Sequence, residues 1–586
     1  MSLNQEQMLA AIARAKQLVE AAKASKAAKL AAEEAARYTQ LSITRAETLP
    51  VIAATQAVGG MVWNEEQQQA INYGHYGRSF CLIGAAGTGK TTTLKAVLSN
   101  MLEHHKIPPL NQATKHLLAG SPGVALISYT RRAVRNIAKQ MSAALKGHCI
   151  TFHKLVEYEP QFYEEWDAES EELIKKMRFA PARNKFNTLP ANLKLIVVDE
   201  ASMLSIDYFQ QLLDALDDVT QVQFIFLGDL NQLPPVYGQA ILGKKLLELP
   251  IIELTRVYRQ ALESPIIACA LSVKDNSFDG FNSDANKLWG APFGFDARHV
   301  REKTVLTRDG RGKVTLHPWK KELDKDDALH AMQQQFNIWL KDGTYSPDED
   351  LVLCPWNKSF GTDELNLAIA DHVAKRDNKV VHEVIAGFNK YYFAIGDKLL
   401  VDKQEAVILD IHRNLKYLGK TPQPASTTLN RWGNGGTKAG SVMEDDIFGD
   451  GVSDADIDMM LEHAANIEDR TAEASHAIKV RFLDTDEEET LTKSAVLNNA
   501  SFAYAITVHK AQGSECRRVF LITHACHAAM CSRELIYTAI TRAAEELYIV
   551  MPPKLLAKSA SKPRIKGDTL AAKLEYFNSR MLEKEE

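Results

Sequence analysis

No apolar run among the 586 residues is long enough to cross a bilayer, and the first residues lack the hydrophobic core of a secretory signal. The seven cysteines (Cys81, Cys149, Cys269, Cys354, Cys516, Cys526 and Cys531) are scattered and form no disulfide framework. A reducing compartment is therefore expected, the cytoplasm of a bacterial cell or of a phage-infected host. Basic charge is not in excess either: 69 Lys and Arg stand against 74 Asp and Glu, a net charge of −5. Bulk charge gives no support to binding a polyanion, so any such site must be a local groove. Residues 1–38 contain neither Gly nor Pro, which favours helix, but the apolar face of Met8, Leu9, Ile12, Leu18 and Val19 fades beyond Glu20. Such a helix is solvated or docks a partner protein. Glu6, Glu20, Glu33 and Glu34 are wrong for an acid-poor mitochondrial presequence. An Asn-Lys-x-Asp run, which would read guanine, is also missing. Asp454 to Asp458 begins like a calcium loop, yet Met459 stands where the turn glycine belongs and Ala465 where the bidentate Glu belongs.

What the chain does contain is Gly84-Ala85-Ala86-Gly87-Thr88-Gly89-Lys90-Thr91, a full match to G-x-x-x-x-G-K-[ST]. The apolar run Phe80–Ile83 precedes it with the length of a buried strand. After Thr92, Leu94, Ala96, Val97, Leu98 and Leu102 recur at helical spacing. Glycines let successive amides point at phosphate oxygens, and the helix N-terminus adds its positive end. Lys90 would reach the β- and γ-phosphates, and the Thr91 hydroxyl would hold Mg²⁺. A glycine turn that binds nothing is the alternative, but a chance match is expected on the order of once per fifty chains of this length. The motif marks a nucleoside triphosphate site.

Leu193–Val198 is a second apolar strand and ends in Asp199-Glu200. Beside a phosphate loop, Asp199 would hold Mg²⁺ and Glu200 would orient and deprotonate the attacking water. Taken alone, the pair would be an acidic helix cap. Phe224–Leu227 leads into Gly228-Asp229-Leu230-Asn231-Gln232-Leu233-Pro234-Pro235, where Gln232 matters only if it lies beside the γ-phosphate. Val124–Thr130 is a strand ending in hydroxyls, followed by Arg131, Arg132, Arg135 and Lys139, and Cys149–Lys154 reads as a short strand with a polar end.

Strands alternating with helices, with polar residues at strand C-ends, imply parallel sheets with ligands along one edge. The expected fold is α/β: two RecA-like parallel-sheet domains, a β-hairpin insertion in the first, and an SH3-like β-barrel with an acidic segment in the second. Residues 1–60 read as helical extension and linker, and 61–260 as the first domain with its insertion at 155–193. Residues 261–380 and 496–555 read as the second domain, interrupted by 381–495, and 556–586 as a tail. From Glu444 to Glu489, sixteen Asp and Glu face three Lys and Arg, a stretch a phosphate backbone would repel. Phe179 and Phe186, in the insertion, are candidates for meeting a base pair if the hairpin splits duplex. His524, Cys526, His527 and Cys531 are too tightly and irregularly spaced for an ordinary zinc site.

In this order the motifs resemble those of the superfamily I helicases, closest to the branch of RecD-like proteins, the bacteriophage Dda helicase and Pif-type helicases. The resemblance covers about 61–260 and 350–550. Asn64 to Ile71 is similar to the Q motif, which implies that Gln67 reads adenine. Thr130 with Arg131, and Thr151, His153 and Lys154, fall where the family contacts the DNA backbone. Leu254 to Gln260 implies that Tyr258 stacks on adenine and Arg259 touches the γ-phosphate. Thr507-Val508-His509-Lys510-Ala511-Gln512-Gly513-Ser514-Glu515 is the most branch-specific match. It implies DNA contacts from Thr507, His509 and Lys510 and nucleotide contacts from Gln512, Gly513 and Glu515. Tyr537 to Ala543 offers Arg542 as an arginine finger. Tyr129 departs from the pattern, standing where this branch commonly carries Pro. The resemblance implies a monomeric ATP- and Mg²⁺-dependent DNA helicase moving 5′→3′ on single strands and opening single/double-strand junctions. A nucleic-acid-stimulated ATPase on RNA, a protein-displacing motor without unwinding, and a nucleotide-regulated scaffold are the competing readings.

Overall fold

The computed structural model describes residues 63–167, 172–235, 238–256, 264–276, 303–306, 313–318, 350–358, 360–387, 389–401, 404–419, 421–427, 472–483 and 487–582. Outside them lie the N-terminal extension, Tyr258, Arg259, the calcium-like loop, and most of the acidic segment.

The first lobe is a six-stranded parallel sheet in the order β3-β2-β6-β7-β1-β8. Its strands are β1 (Phe80–Gly84), β2 (Val124–Ser128), β3 (Cys149–Thr151), β6 (Leu195–Val198), β7 (Gln223–Gly228) and β8 (Ile251–Leu254). β2, β6 and β7 are buried along their whole length, as strands covered on both faces must be. Side chains alternate between two cores: Cys81 and Ile83 join one cluster, Phe80 and Leu82 the other. Every strand therefore ends its C-terminus on one edge, where the phosphate loop, Asp199 and the Gly228 loop emerge.

Between β3 and β6, β4 (Tyr158–Asp167) and β5 (Glu172–Pro181) pair as an antiparallel hairpin from Tyr158↔Pro181 to Asp167↔Glu172. Arg183 ties its base down by donating to both carboxylate oxygens of Glu157, at 2.9 and 3.0 Å. Phe179 pairs with Pro160 near that base, and Phe186, fully exposed, lies beyond the hairpin. Neither aromatic sits at the tip, because the strands carry their pairing some seven residues past Phe179. The tip, 168–171, is outside the described residues.

The second lobe is a sheet ordered β19-β11-β20-β21-β10-β9. It comprises β9 (Lys303–Leu306), β10 (Lys313–Pro318), β11 (Asp350–Cys354), β19 (Ala505–Thr507), β20 (Cys516–Ile522) and β21 (Ala543–Met551). All are parallel except β9. Residues 280–330 match no motif, yet β10 and β9 from that stretch extend this sheet past β21. Five antiparallel strands, β17-β16-β15-β14-β18, form the insertion: β14 (Lys398–Val401), β15 (Gln404–Arg413), β16 (Glu473–Phe482), β17 (Glu488–Lys493) and β18 (Ser501–Phe502). The insertion thus reaches past 495. With the hairpin of β12 (Val381–Ala386) and β13 (Asn389–Ala394) it shares one core with Val352, Cys354, Phe520 and Val550 of the second sheet. Residues 556–586, expected as a tail, instead carry helices Pro553–Ala560 and Leu570–Leu582. Leu570, Leu574 and Phe577 of the latter, spaced four and three apart, pack on the first lobe's core.

Asp350 starts β11 and faces Arg518 on β20; Arg518 Nε donates to Asp350 Oδ1 at 2.7 Å, with a second bond from Nη2, and both residues are buried. Asp350→Ala would remove the carboxylate that the buried guanidinium donates to twice, leaving Glu546 as the acid near it. A loss of about 3–5 kcal/mol in the second lobe's unfolding transition is expected, read by urea denaturation followed by circular dichroism.

Candidate nucleotide site at the seam of two lobes

Local geometry builds the phosphate loop. Gly87 and Gly89 adopt φ of 79° and 84°, the left-handed region where glycine carries no steric cost. Gly89 is the N-cap of the Lys90–Glu103 helix, so the first-turn amides of Lys90, Thr91 and Thr92 point out of its end. Gly84 is held by contact instead: a Cβ there would lie 2.5 Å from Thr88 Oγ1 and 3.0 Å from Leu254 O. Lys90 Nζ donates to Gly84 O (2.7 Å) and Ala85 O (3.1 Å), which parks the ammonium in the mouth of the loop.

Asp199 and Glu200 follow β6 on the same edge. Glu200 takes φ 51°, an unusual left-handed backbone for a residue with a long side chain, which costs on the order of 1–2 kcal/mol. Strain of that size at a carboxylate pair is characteristic of sites where position matters more than stability. Burial and the neighbouring Glu200 push Asp199 up to about 7, while the Glu200 amide, Lys90 and Arg542 pull the other way. The Thr91 hydroxyl and the Asp199 carboxylate are hard oxygen donors of the kind Mg²⁺ takes.

The Gly228 loop completes the first lobe's share. Asp229 is fully buried; its Oδ1 accepts from the Asn231 amide (2.9 Å) and Nδ2 (2.8 Å). Gln232 is 4% exposed and its Oε1 meets no partner among the described residues, so the acceptor end of a buried amide is held in reserve.

The second lobe meets this loop directly. Leu233 N–H donates to Thr538 Oγ1 (3.0 Å), and Leu233 O accepts from Gln512 Nε2 (2.9 Å). The Leu233 side chain is fully buried within the second lobe's core. Tyr537 Oη accepts from the Ala86 amide of the phosphate loop (2.9 Å) and donates to Asp229 Oδ2 (2.7 Å). The sequence reading passed over Tyr537; its place in the same run as Arg542 was the available signal. Arg542 lies 5% exposed, with its three nitrogens donating to Thr538 O, Ser514 O and Thr541 Oγ1, all at 3.1 Å. It is held in its own lobe at the edge of the cleft.

Several expected contacts come out differently. Gln67 is 1% exposed and its amide is engaged at both ends: Oε1 accepts from Asn64 N at the cap of its own helix (3.1 Å), and Nε2 donates to Thr93 Oγ1 on the Lys90–Glu103 helix (3.3 Å). Reading adenine would require breaking that capping box. Thr151 ends β3 and caps the Phe152–Leu155 helix, so the polar end of that run is helical. His153 lies among the rings of Tyr129, Phe152, Tyr158 and Tyr208, at 4.9–5.6 Å between centroids, instead of facing out. Tyr129 is thereby accommodated as a packing residue. Burial, reinforced by Arg564, lowers His509 to about 4, so it carries no charge with which to grip a phosphate at neutral pH. Thr507 is fully buried and caps the turn by accepting from Lys510 N. Among the described residues no group of His, Cys, Asp or Glu gathers as metal ligands; the His524 and His527 imidazoles cap a helical turn.

Arg131, Lys154, Lys510 and Glu515 are exposed. Thr130 Oγ1 donates to Gln512 O (3.3 Å), and Asn136 Nδ2 donates to Gly513 O (2.7 Å). Arg131 and Lys510 thus flank a contact between the lobes. Gly513 has φ 71°, and a Cβ there would lie 2.4 Å from Ala133 Cβ, so only glycine lets the lobes approach this closely. Two basic residues of the same helix point elsewhere: Arg132 pairs with Glu405 and Arg135 donates to Leu483 O (3.0 Å), both in the insertion.

A two-lobed P-loop NTPase is the class this architecture defines. Residues 67–238 match a family model described as an AAA domain, and 502–550 match one described as a UvrD-like helicase C-terminal domain. The chain is 25% identical over 494 residues to the ATP-dependent RecD2 DNA helicase of Deinococcus radiodurans, covering 83% of this chain and 48% of that one. It is 21% identical over 515 residues to the RecBCD enzyme subunit RecD of Buchnera aphidicola, covering 82% and 71%. Over four-fifths of its length the chain is thus similar to RecD-type DNA helicases. It spans about half the length of the Deinococcus relative. The Pif1 helicase structure from Candida albicans aligns over 89% of this chain and 100% of that one, at 12% identity and a TM-score of 0.38, too low to carry an argument. Among the described residues no helix is long and apolar enough to cross a membrane.

Two outcomes follow from this geometry. Tyr537→Phe removes one hydroxyl and leaves the Ala86 amide and an Asp229 oxygen unmatched in a buried seam. About 1–3 kcal/mol of stability should be lost, and hydrogen exchange should accelerate across 84–91 and 228–233; unchanged exchange would show that the bonds couple nothing. Asp199 binds its proton more tightly folded than unfolded, so its contribution to stability is present at low pH and is lost as pH rises from about 4 through about 7. Without Mg²⁺, Asp199→Asn should flatten that part of the stability–pH profile, measured by thermal melts between pH 4 and 8.

Proposed function

We propose that the chain is an ATP-dependent DNA helicase that translocates 5′→3′ on single-stranded DNA and unwinds duplex. The observation that carries this is the Gly228–Leu233 loop. It brings Gln232 from the phosphate-loop lobe to a seam whose other side is Gln512, Thr538 and Tyr537, with Arg542 held on the second lobe's side by Thr538, Ser514 and Thr541. A nucleotide-binding switch has no need of a second lobe built into the first lobe's γ-phosphate loop.

In this reading the loop amides and Lys90 bind the β- and γ-phosphates, and Thr91 and Asp199 hold Mg²⁺, which when bound neutralises phosphate charge. Glu200 takes the proton of the attacking water. Gln232 orients that water or the γ-phosphate, and Arg542 leaves its carbonyl partners to meet the charge that develops during transfer. Arg259 and Tyr258 are assigned to the γ-phosphate and adenine by resemblance. Because the γ-phosphate touches both lobes, its loss weakens the closed seam, and a strand held on both sides of the seam advances as the lobes part and rejoin. Arg131, Lys154 and Lys510 are the side chains free to grip its backbone, and such contacts tolerate any sequence. The insertion serves as an SH3-like module flanking that track, and the β4–β5 hairpin is the candidate strand-splitting pin. The protein works as a monomer in the cytoplasm of a bacterial or phage-infected cell.

The test is ATP-driven strand separation on duplexes carrying a 5′ or a 3′ single-stranded tail. Opening of the 5′-tailed duplex alone is expected. Lys90→Ala should be inactive, and Glu200→Gln should lose about 10²–10⁴-fold in ATP turnover while still binding ATP in a fluorescent-nucleotide titration. Turnover near wild type in Glu200→Gln would remove it as the base. Single-strand-stimulated hydrolysis with neither duplex opened would leave a translocase.

A further inference from the structure

The segment after β21 crosses from one lobe to the other, and both ends of the crossing are built. On the second lobe, Glu534, 3% exposed, accepts from the amides of Arg564 (2.9 Å) and Ile565 (3.1 Å). Arg533 beside it donates from Nε to Ala560 O and from Nη1 to Asp568 Oδ1, both at 2.7 Å. The chain then turns at Gly567, whose φ of 107° and 2.7 Å approach to Ala572 leave no room for a side chain.

Beyond the turn, the Leu570–Leu582 helix lies on the first lobe's Ile241–Glu248 helix. Its seat is specific: a Cβ on Gly243 would come within 2.8 Å of the Phe577 ring, so the missing side chain forms the socket. Between these anchors Lys573 reaches into the Gly228 loop. Its Nζ donates to Leu230 O (3.1 Å) and to Asn231 Oδ1 (2.8 Å). Asn231 in turn donates to Asp229, the carboxylate that also accepts from Tyr537. The loop that presents Gln232 is therefore fastened from two directions, by the second lobe's Gln512, Thr538 and Tyr537 and by a cation on the crossing helix.

We propose that the Leu570–Leu582 helix is a clamp between the lobes and that Lys573 is a positioning residue for the Gly228–Leu233 loop, fixing Gln232 at the cleft. The part concerning Gln232 rests on reading the cleft as an ATPase site; the clamp itself does not. A charged donor on a backbone carbonyl and a side-chain amide restrains two consecutive residues without touching nucleotide, so its removal should alter rate more than affinity.

The experiment uses the full chain with Lys573→Met, which keeps the stem and removes the donor, and Phe577→Ala, which empties the Gly243 socket. Hydrogen exchange without nucleotide is read for 228–233 and 241–248, and steady-state ATPase with saturating single-stranded DNA is read alongside. Lys573→Met should speed exchange at 228–233 by about tenfold, leave 241–248 near wild type, and lower kcat several-fold with KM within about twofold. Phe577→Ala should speed exchange in both segments. Unchanged exchange at 228–233 in both variants would overturn the clamp. Faster exchange with unchanged kcat would keep the clamp and overturn Lys573 as a positioning residue. A wild-type chain without ATPase would remove the functional reading while the exchange arm still decides the clamp.

Discussion

Leu233 is the residue on which the arrangement of the molecule turns. Its amide and carbonyl both bond to the second lobe, and its side chain sits in that lobe's core although the residue belongs to the first. Burying one leucine is worth about 2 kcal/mol, and doing so across a seam fixes the two sheets in register as well as in contact. Pro234 and Pro235 follow at once and restrict the backbone behind it. The loop cannot shift without either breaking into the second lobe's core or carrying that lobe with it. A change felt at Gln232, one residue before, therefore becomes a change in how the lobes sit.

The charges of the cleft suit the proposed ligand, which is anionic and carries a cation. Burial, and then the repulsion of adjacent Glu200, raises Asp199 above the ordinary carboxylate range. Lys90 is satisfied by loop carbonyls, and Arg542 by carbonyls and a hydroxyl of its own lobe. Two bases resting on neutral oxygens are available to a stronger acceptor, and two crowded acids are available to a divalent ion. A magnesium nucleoside triphosphate answers both needs at once. The overall charge of −5 is no obstacle, because the field that matters is that of a few exposed cations beside the seam.

The sequence exposed its strands far better than its joints. That Gly84 to Thr91, Asp199-Glu200 and Gln232 follow strand ends on one edge was legible, because each comes directly after an apolar run with the length of a buried strand. The strands around them were legible because both-face burial demands continuous apolar runs. Tyr537 escaped notice because its partners, Ala86 and Asp229, lie more than 300 residues away. His153 and Gln67 went the other way: motif position suggested ligand contacts, while aromatic packing and a capping box engage those side chains instead. β10 was hidden because a lone strand beside an unmatched stretch has no periodic context. The Leu570–Leu582 helix shows the same limit. Its apolar spacing could be read, but nothing in a row of thirteen residues says that the surface it covers belongs to the other lobe.

The lobes exchange parts: the first gives Leu233 to the second, and the second returns Leu570, Leu574 and Phe577 to the first. The two exchanges have different consequences. The helix buries several apolar side chains and is anchored at both ends, so it should persist through a cycle. Among the described residues the Leu233 seam has one buried side chain and six hydrogen bonds: two at Leu233, two at Tyr537, and those from Thr130 to Gln512 and from Asn136 to Gly513. At about 0.5–1.5 kcal/mol per bond plus about 2 for the leucine, that seam holds with about 5–11 kcal/mol. Moving a two-state equilibrium from one extreme to the other takes about 5.5 kcal/mol of differential binding. A ligand that touches both lobes through several charged contacts can supply that much. In the proposed cycle a seam of this size would define a closed state that the loss of one phosphate opens, and the helix would keep the parted lobes within reach of closing again.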